Sequence, residues 1–150
     1  PNDREKASFL KENILPIQES GQLKFVELPN ADWDATKPLP EGGFTTNISL
    51  RFVEGHTAGM MLPQIRYKGK TIVYMADLLP SAGHIPIPYV MAYDMFPLTT
   101  LHEKKSFLKE AVEGDYILFF EHDPVQECCT LQQTEKGVRP GDFFPLSAIG

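Results

Sequence analysis

The strongest constraint in this sequence is a pattern that occurs three times: a short apolar run ending on a residue that can bind a metal. Phe52-Val53-Glu54-Gly55-His56-Thr57-Ala58-Gly59-Met60-Met61 sets a histidine between two glycines. Lys70-Thr71-Ile72-Val73-Tyr74-Met75-Ala76-Asp77 runs into a carboxylate, and Tyr116-Ile117-Leu118-Phe119-Phe120-Glu121-His122-Asp123 ends in Glu-His-Asp. An unbroken apolar run of this length, bounded by polar or turn residues, reads as a buried strand. His56, Asp77 and His122 therefore stand at strand ends, where sites are built. Glycines at 55 and 59 permit φ values that other residues avoid, so the backbone can turn sharply and aim one imidazole away from the sheet.

His56, Asp77 and His122 are borderline-hard donors that suit a divalent ion such as zinc, held at roughly 2 Å. Structural uses compete with that one. A histidine at a strand end can be hydrogen-bonded core, Asp77 can cap the next turn, and Glu121 and Asp123 can serve to orient an imidazole. The order of the three motifs separates these alternatives, together with Ala76-Asp77-Leu78-Leu79-Pro80-Ser81-Ala82-Gly83-His84, Pro88-Tyr89-Val90-Met91-Ala92-Tyr93-Asp94-Met95-Phe96-Pro97 and Glu103-Lys104-Lys105. As a set spanning Ile48 to Thr130, they resemble the lactonase-like branch of the metallo-β-lactamase superfamily.

That resemblance implies an α/β (α+β) chain forming the C-terminal half of a metallo-β-lactamase-type αββα sandwich, which is built from two similar halves. It implies a two-zinc site with His56, Asp77 and His122 as ligands, Asp77 bridging the metals and so catalytic, and His84 and Tyr93 facing a small-molecule substrate. Two zinc ions would lower the pKa of a bridging water and polarise a carbonyl, giving hydroxide attack on an ester, lactone or similar bond. The superfamily's first motif, His-x-His-x-Asp-His, lies upstream of Gly-His-Thr and supplies the remaining ligands. Only His56, His84, His102 and His122 occur here, and no two are separated by a single residue. The expectation is therefore a C-terminal half that is inactive alone and binds zinc weakly or not at all. Its inner sheet face would be covered by a homodimer or a domain swap. The competing expectation is a non-catalytic binding or interaction module derived from the same fold.

The 150 residues fit one domain without a linker or repeat. A net charge of -6 and a pI near 5.2 argue against nucleic acid, which needs a basic face. No basic run suits anionic lipid, and no apolar stretch reaches the roughly 18 to 20 residues of a membrane helix. Adjacent Cys128 and Cys129 exclude a disulfide framework and read as two small apolar strand residues, an alternative being a vicinal soft-metal site. This cysteine usage points to a reducing cytoplasm. The chain opens with Pro1 rather than Met, so its true N-terminus is not in view.

Along the chain, Asn2 or Asp3 caps a predicted helix over residues 4–13 that Pro16 limits. Leu23–Leu28 reads as a strand, and Pro29–Gly43 as a loop with Trp33 as its one large apolar anchor. Asn47–Glu54 alternates as a half-buried strand, then Met61–Tyr67 and Thr71–Ala76 flank a Lys68-Gly69 hairpin turn, with Pro63 placing its segment at an edge or bulge. Four prolines at 80, 86, 88 and 97 keep residues 78–98 as a long loop, the natural wall of a pocket. Thr100 and Glu103 fit a capping box, Leu101, Leu108, Ala111 and Val112 a buried stripe, and Gly114 a helix end, with His102 solvent-exposed. A strand over 126–134, a turn at 135–137 and a terminal apolar segment at 143–146 complete the chain.

Overall fold

Alternating and unbroken apolar runs pair here into one mixed sheet. The computed structural model describes residues 2–27, 37–40 and 44–150. A short helix, α1 (Lys11–Glu19), precedes strands β1 (Ile48–Val53), β2 (Met60–Tyr67) and β3 (Lys70–Tyr74). Helix α2 (Pro97–Glu113) follows, then β4 (Ile117–Phe119), β5 (Cys128–Thr134) and β6 (Gly137–Phe144). The six strands lie side by side in chain order. Neighbours are antiparallel except β3 and β4, which run parallel with Val73 opposite Leu118. A parallel pair needs a crossover, and the segment containing α2 supplies it.

Lys68 and Gly69 both hold positive φ, 49° and 74°, the type I′ geometry that matches a hairpin's twist. Pro63 lies opposite Leu50, and the ladder to β3 begins only at Gln64, so β2 runs past the proline with a single partner.

Helix α2 covers one face of the sheet. Phe107, Leu108 and Ala111 pack with Val53, Leu62, Val73, Leu118 and Cys129. Arg51 lies beneath them at 1% exposure, 2.5 Å from Glu110 and with its guanidinium carbon 5.4 Å from the centre of the Phe107 ring. The helix starts earlier than the capping box predicted: Pro97 occupies its first turn, Thr100 Oγ1 donates back to Phe96 O, and Glu103 bonds elsewhere. Its buried stripe is Thr100, Glu103, Lys104, Phe107, Leu108 and Ala111. Leu101 and Val112 are only half-buried, because two charged residues take the inward positions.

Among the described residues the opposite face is covered unevenly, with Leu50 of β1 buried. Ile72, Ile117, Cys128 and Ile149 form a small cluster there with Ile65, Phe119 and Phe144. By strand alternation Phe52, Met61 and Pro63 share this face, and Met61 is 45% exposed.

Cys128 and Cys129 are free and buried, and being consecutive strand residues they enter the two different clusters. Burial pushes their thiols up to about 11 and about 12. Neither is expected to react with a thiol reagent at neutral pH until the chain unfolds, since the thiolate is the reactive form. Rapid labelling of either cysteine in the native chain would contradict this packing.

The first elements differ from expectation. Asn2 Oδ1 accepts the Arg4 and Glu5 amides at 2.9 and 3.3 Å, and Glu5 Oε2 accepts the Asn2 amide at 3.1 Å. The cap is real, but it closes a turn and not a helix over 4–13. Leu10 is extended, and α1 begins after it with Pro16 inside and no buried residue. The spacing of Ala7, Leu10 and Ile14 therefore marks no core face. Residues 23–27 have no ladder partner and form no strand. Leu28 and Trp33 lie outside the described residues. Strand β6 reaches far beyond the predicted terminal apolar segment; Thr130 Oγ1, at a register shift in β5, would lie 2.5 Å from a Cβ at Gly141. Among the described residues no helix is long and apolar enough to cross a membrane.

Candidate metal centre

The loop leaving β1 is pressed onto the start of α2. A Cβ at Gly55 would lie 2.3 Å from Thr100 Oγ1 and 2.4 Å from Thr100 N, so only glycine fits. Gly59 is glycine for another reason, a φ of 70° in open space. Conformational freedom, the cause the sequence suggests for both glycines, applies only to Gly59. The Phe96 amide donates to Gly55 O at 2.8 Å and the Met95 amide to His56 O at 3.1 Å. Glu103 accepts the Glu54 and Gly55 amides at 2.6 and 3.1 Å.

His56 is thereby aimed between two carboxylates. Its Nδ1 lies 3.0 Å from Asp94 Oδ1, on a fully buried side chain, and its Nε2 lies 3.3 Å from Asp77 Oδ2. Asp77 follows Ala76, whose φ of 41° is costly for a residue with a Cβ and turns the chain off the line of β3. Asp77 Oδ1 in turn lies 3.3 Å from His122 Nε2. The His122 amide donates to Pro80 O at 3.0 Å. Asp123 next to it accepts the Ala82, Val125 and Gln126 amides; burial pushes its carboxyl up, but these three bonds hold it below the ordinary value.

Asp77 thus presents one oxygen to each imidazole. These contacts have ion-pair distances but not hydrogen-bond geometry, and the buried Oδ1 has no hydrogen-bond partner. Asp94 faces Nδ1 of His56 and Asp77 faces its Nε2, so one imidazole stands between two carboxylates. A proton or a cation between Nε2 and the Asp77 oxygen would satisfy both. The donor set fits one wall of a metal site. Among the described residues no group of three or more His, Cys, Asp or Glu is closed enough to hold an ion alone.

His56, Asp77, His122 and Tyr93 open on one cavity of about 550 Å³, walled in part by Met60 and Met91. His84 is not among its lining residues. It lines an adjoining depression of about 300 Å³ with Tyr93 and His122. His84 Nδ1 lies 2.8 Å from Ser81 Oγ, and burial, followed by the Lys104 charge, pushes its imidazole down. His102 is exposed, as predicted.

Three contributors carry no role in the sequence pattern. Asp94 holds the His56 ring, Glu5 accepts from Thr57 Oγ1 at 2.5 Å on the cavity rim, and Lys104 is fully buried. Charged residues at 103 and 104, in step with the apolar 107, 108 and 111, were the one available signal.

Lys104 Nζ donates to Pro86 O and Ile87 O at 3.2 Å each and to Tyr89 O at 2.5 Å. Burial pushes this ammonium down from 10.5 to about 8, with the Asp94 charge acting the other way. Between those values the unfolded chain holds a proton that the folded chain has released, so this group makes stability rise with pH through that window. The buried cysteines act oppositely there, because their folded thiols keep protons that the unfolded ones lose. The difference in urea-derived stability between the native chain and Lys104→Met is therefore expected to move in favour of the native chain, by up to ~3 kcal/mol between about pH 8 and 10.5. A flat or falling difference would contradict it.

These elements define the class of fold: a mixed α+β unit, one six-stranded sheet with a helix on one face, corresponding to the C-terminal part of a metallo-β-lactamase-type sandwich. A probable metal-dependent hydrolase from Staphylococcus aureus shares it at 22% identity and a TM-score of 0.59, over 76% of this chain and 38% of that one. AidC, a dizinc quorum-quenching lactonase in complex with a product, shares it at 21% identity and a TM-score of 0.63, over 96% and 49%. The hydrolase AbOPH of the beta lactamase superfamily matches at 17% and 0.64, over 91% and 42%. The chain thus spans less than half the length of each of these structures. No protein-family model and no curated protein matches the sequence.

Proposed function

We propose that this chain is the C-terminal half of a zinc-dependent hydrolase that opens an ester, lactone or similar bond in a small molecule. The arrangement about Asp77 carries the proposal: a carboxylate with one oxygen toward each of two imidazole nitrogens, one of those oxygens buried without a hydrogen bond. An unsatisfied buried acceptor costs about 1–3 kcal/mol. A non-catalytic module has no use for that cost, whereas a metal centre does.

In the assembled enzyme, His56 Nε2, the Asp77 carboxylate and His122 Nε2 would hold metal, with Asp77 bridging. When bound, two zinc ions supply the Lewis acidity that makes a water nucleophilic near neutral pH and polarises a carbonyl. The chain's own residues do the rest. Asp94 keeps Nδ1–H of His56 engaged, so that Nε2 faces the site. Met60, Met91 and Tyr93 offer apolar surface to the substrate. His84, its Nδ1 engaged by Ser81, lines the adjoining depression and would meet substrate there.

The acyl-homoserine product held by AidC makes an acyl lactone the first substrate to try. The missing half would cover the Phe52–Met61 face, and in the isolated chain a second copy takes its place as a homodimer. The free, buried cysteines suit a reducing cytoplasm.

Zinc titration of the purified chain, followed by calorimetry and melting temperature, is expected to show no stoichiometric uptake, because three donors on one wall do not close a two-metal cage. Expression together with the segment encoded immediately upstream is expected to give a two-zinc protein that hydrolyses lactones. Both properties should weaken or vanish in His56→Ala, Asp77→Ala and His122→Ala. Tight binding by the isolated chain, or an assembled protein that stays metal-free, would sink the proposal.

A further inference from the structure

Helix α2 buries two adjacent charges where a core-facing stripe ordinarily carries apolar residues. Glu103 and Lys104 are 5% and 0% exposed. Taking either ion out of water costs several kcal/mol unless hydrogen bonds replace the lost hydration. Consecutive helical residues point about 100° apart, so the two reach different segments. Glu103 accepts the amides of Glu54 and Gly55, the residues just before His56. Lys104 uses three donors on the carbonyls of Pro86, Ile87 and Tyr89, the segment that leads into Asp94. The two segments then meet where His56 Nδ1 lies 3.0 Å from Asp94 Oδ1 and where the Met95 amide donates to His56 O.

We propose that Glu103 and Lys104 are a pair of positioning residues, which register these two segments against each other so that Asp94 fixes the His56 ring with Nε2 toward Asp77. The inference deepens the proposed metal centre and rests on it. Stability alone gives no reason to keep the pair, since well-packed apolar replacements of buried charges are often neutral or stabilising. The helix is then a ruler between two loops as well as a core element.

The test uses the whole chain without metal and follows the His56 Nδ1–H proton by NMR, a signal that needs the bond to Asp94. In the native chain this ring proton is expected to exchange slowly with water. In Lys104→Met and in Glu103→Gln it is expected to disappear while the sheet amides and the melting transition persist. Amides of residues 86–94 should shift in the first variant and those of 54–57 in the second. Leu108→Ala, on the same inward stripe, is the control: it should lower the melting temperature and leave the ring proton in place. Persistence of that proton in both charge variants overturns the proposal, as does its loss in folded Leu108→Ala. Unfolding of Lys104→Met or Glu103→Gln would make the pair a stability device and overturn it equally. Because no metal enters the readout, failure of the assembled protein to take up zinc would count against the hydrolase proposal and not against this one.

Discussion

Gly55→Ala is expected to destabilise the chain by about 3 kcal/mol and to separate His56 from Asp94. The added methyl would meet Thr100 Oγ1, N and Cα at 2.3, 2.4 and 2.6 Å. Two of those atoms are backbone of the first turns of α2, which cannot rotate aside as a flexible side chain would. The loop must lift, and the hydrogen bonds that the Phe96 and Met95 amides donate to Gly55 O and His56 O lengthen with it. Gly59→Ala makes a useful contrast. It meets nothing within 4 Å, and its penalty is that of a left-handed alanine, about 1 kcal/mol, with His56 left in place. Urea unfolding gives the stability change, and the His56 ring signals report the displacement. Equal costs at the two glycines would mean that the close approach to Thr100 does not hold the loop in place.

Phe107→Ala is expected to cost about 3–5 kcal/mol, the largest loss from any single truncation on α2. The ring is 1% exposed and central to the cluster that joins the helix to the sheet. It also carries the Arg51 guanidinium 5.4 Å from its centre, so truncation removes a packed surface from a buried cation. The Arg51–Glu110 ion pair does not compensate, because Glu110 is 37% exposed and water competes for it. The check is a shift in the urea midpoint with an unchanged slope. A loss below about 1 kcal/mol would mean that α2 is held mainly by its polar contacts.

Much of the sheet was legible because strand signals are local. The apolar runs at 48–53, 70–74 and 117–119 are strands, and Lys68-Gly69 is the hairpin turn it resembles. Pro63 sits where its missing amide does least harm. Misplaced elements share one cause, which is that contacts distant in sequence overrode local preference. The N-terminal turn stops short because Arg4 donates to Ala92 O and Glu5 binds Thr57, tying it to the cavity rim. Thr100 and Glu103 have the spacing of a cap, yet Glu103 serves a loop nearly fifty residues away in the chain. Strand β6 carries Pro140 and Gly141, which weaken any strand signal, and it exists because β5 offers it an edge with an irregularity that a glycine can approach.

Sequence by itself determined which side chains would stand at strand ends, since an apolar run and the polar residue that stops it are neighbours along the chain. It also determined that Cys128 and Cys129 would behave as apolar strand residues. Only the tertiary structure decided that Asp77 would lie between His56 and His122, that Asp94 would orient one imidazole, and that Glu103 and Lys104 would be buried. Each of these depends on electrostatic partners brought together from separate strands, a helix and a long loop. Burial sets the cost of every such charge, and burial is a property of the packed chain that no local run of residues contains.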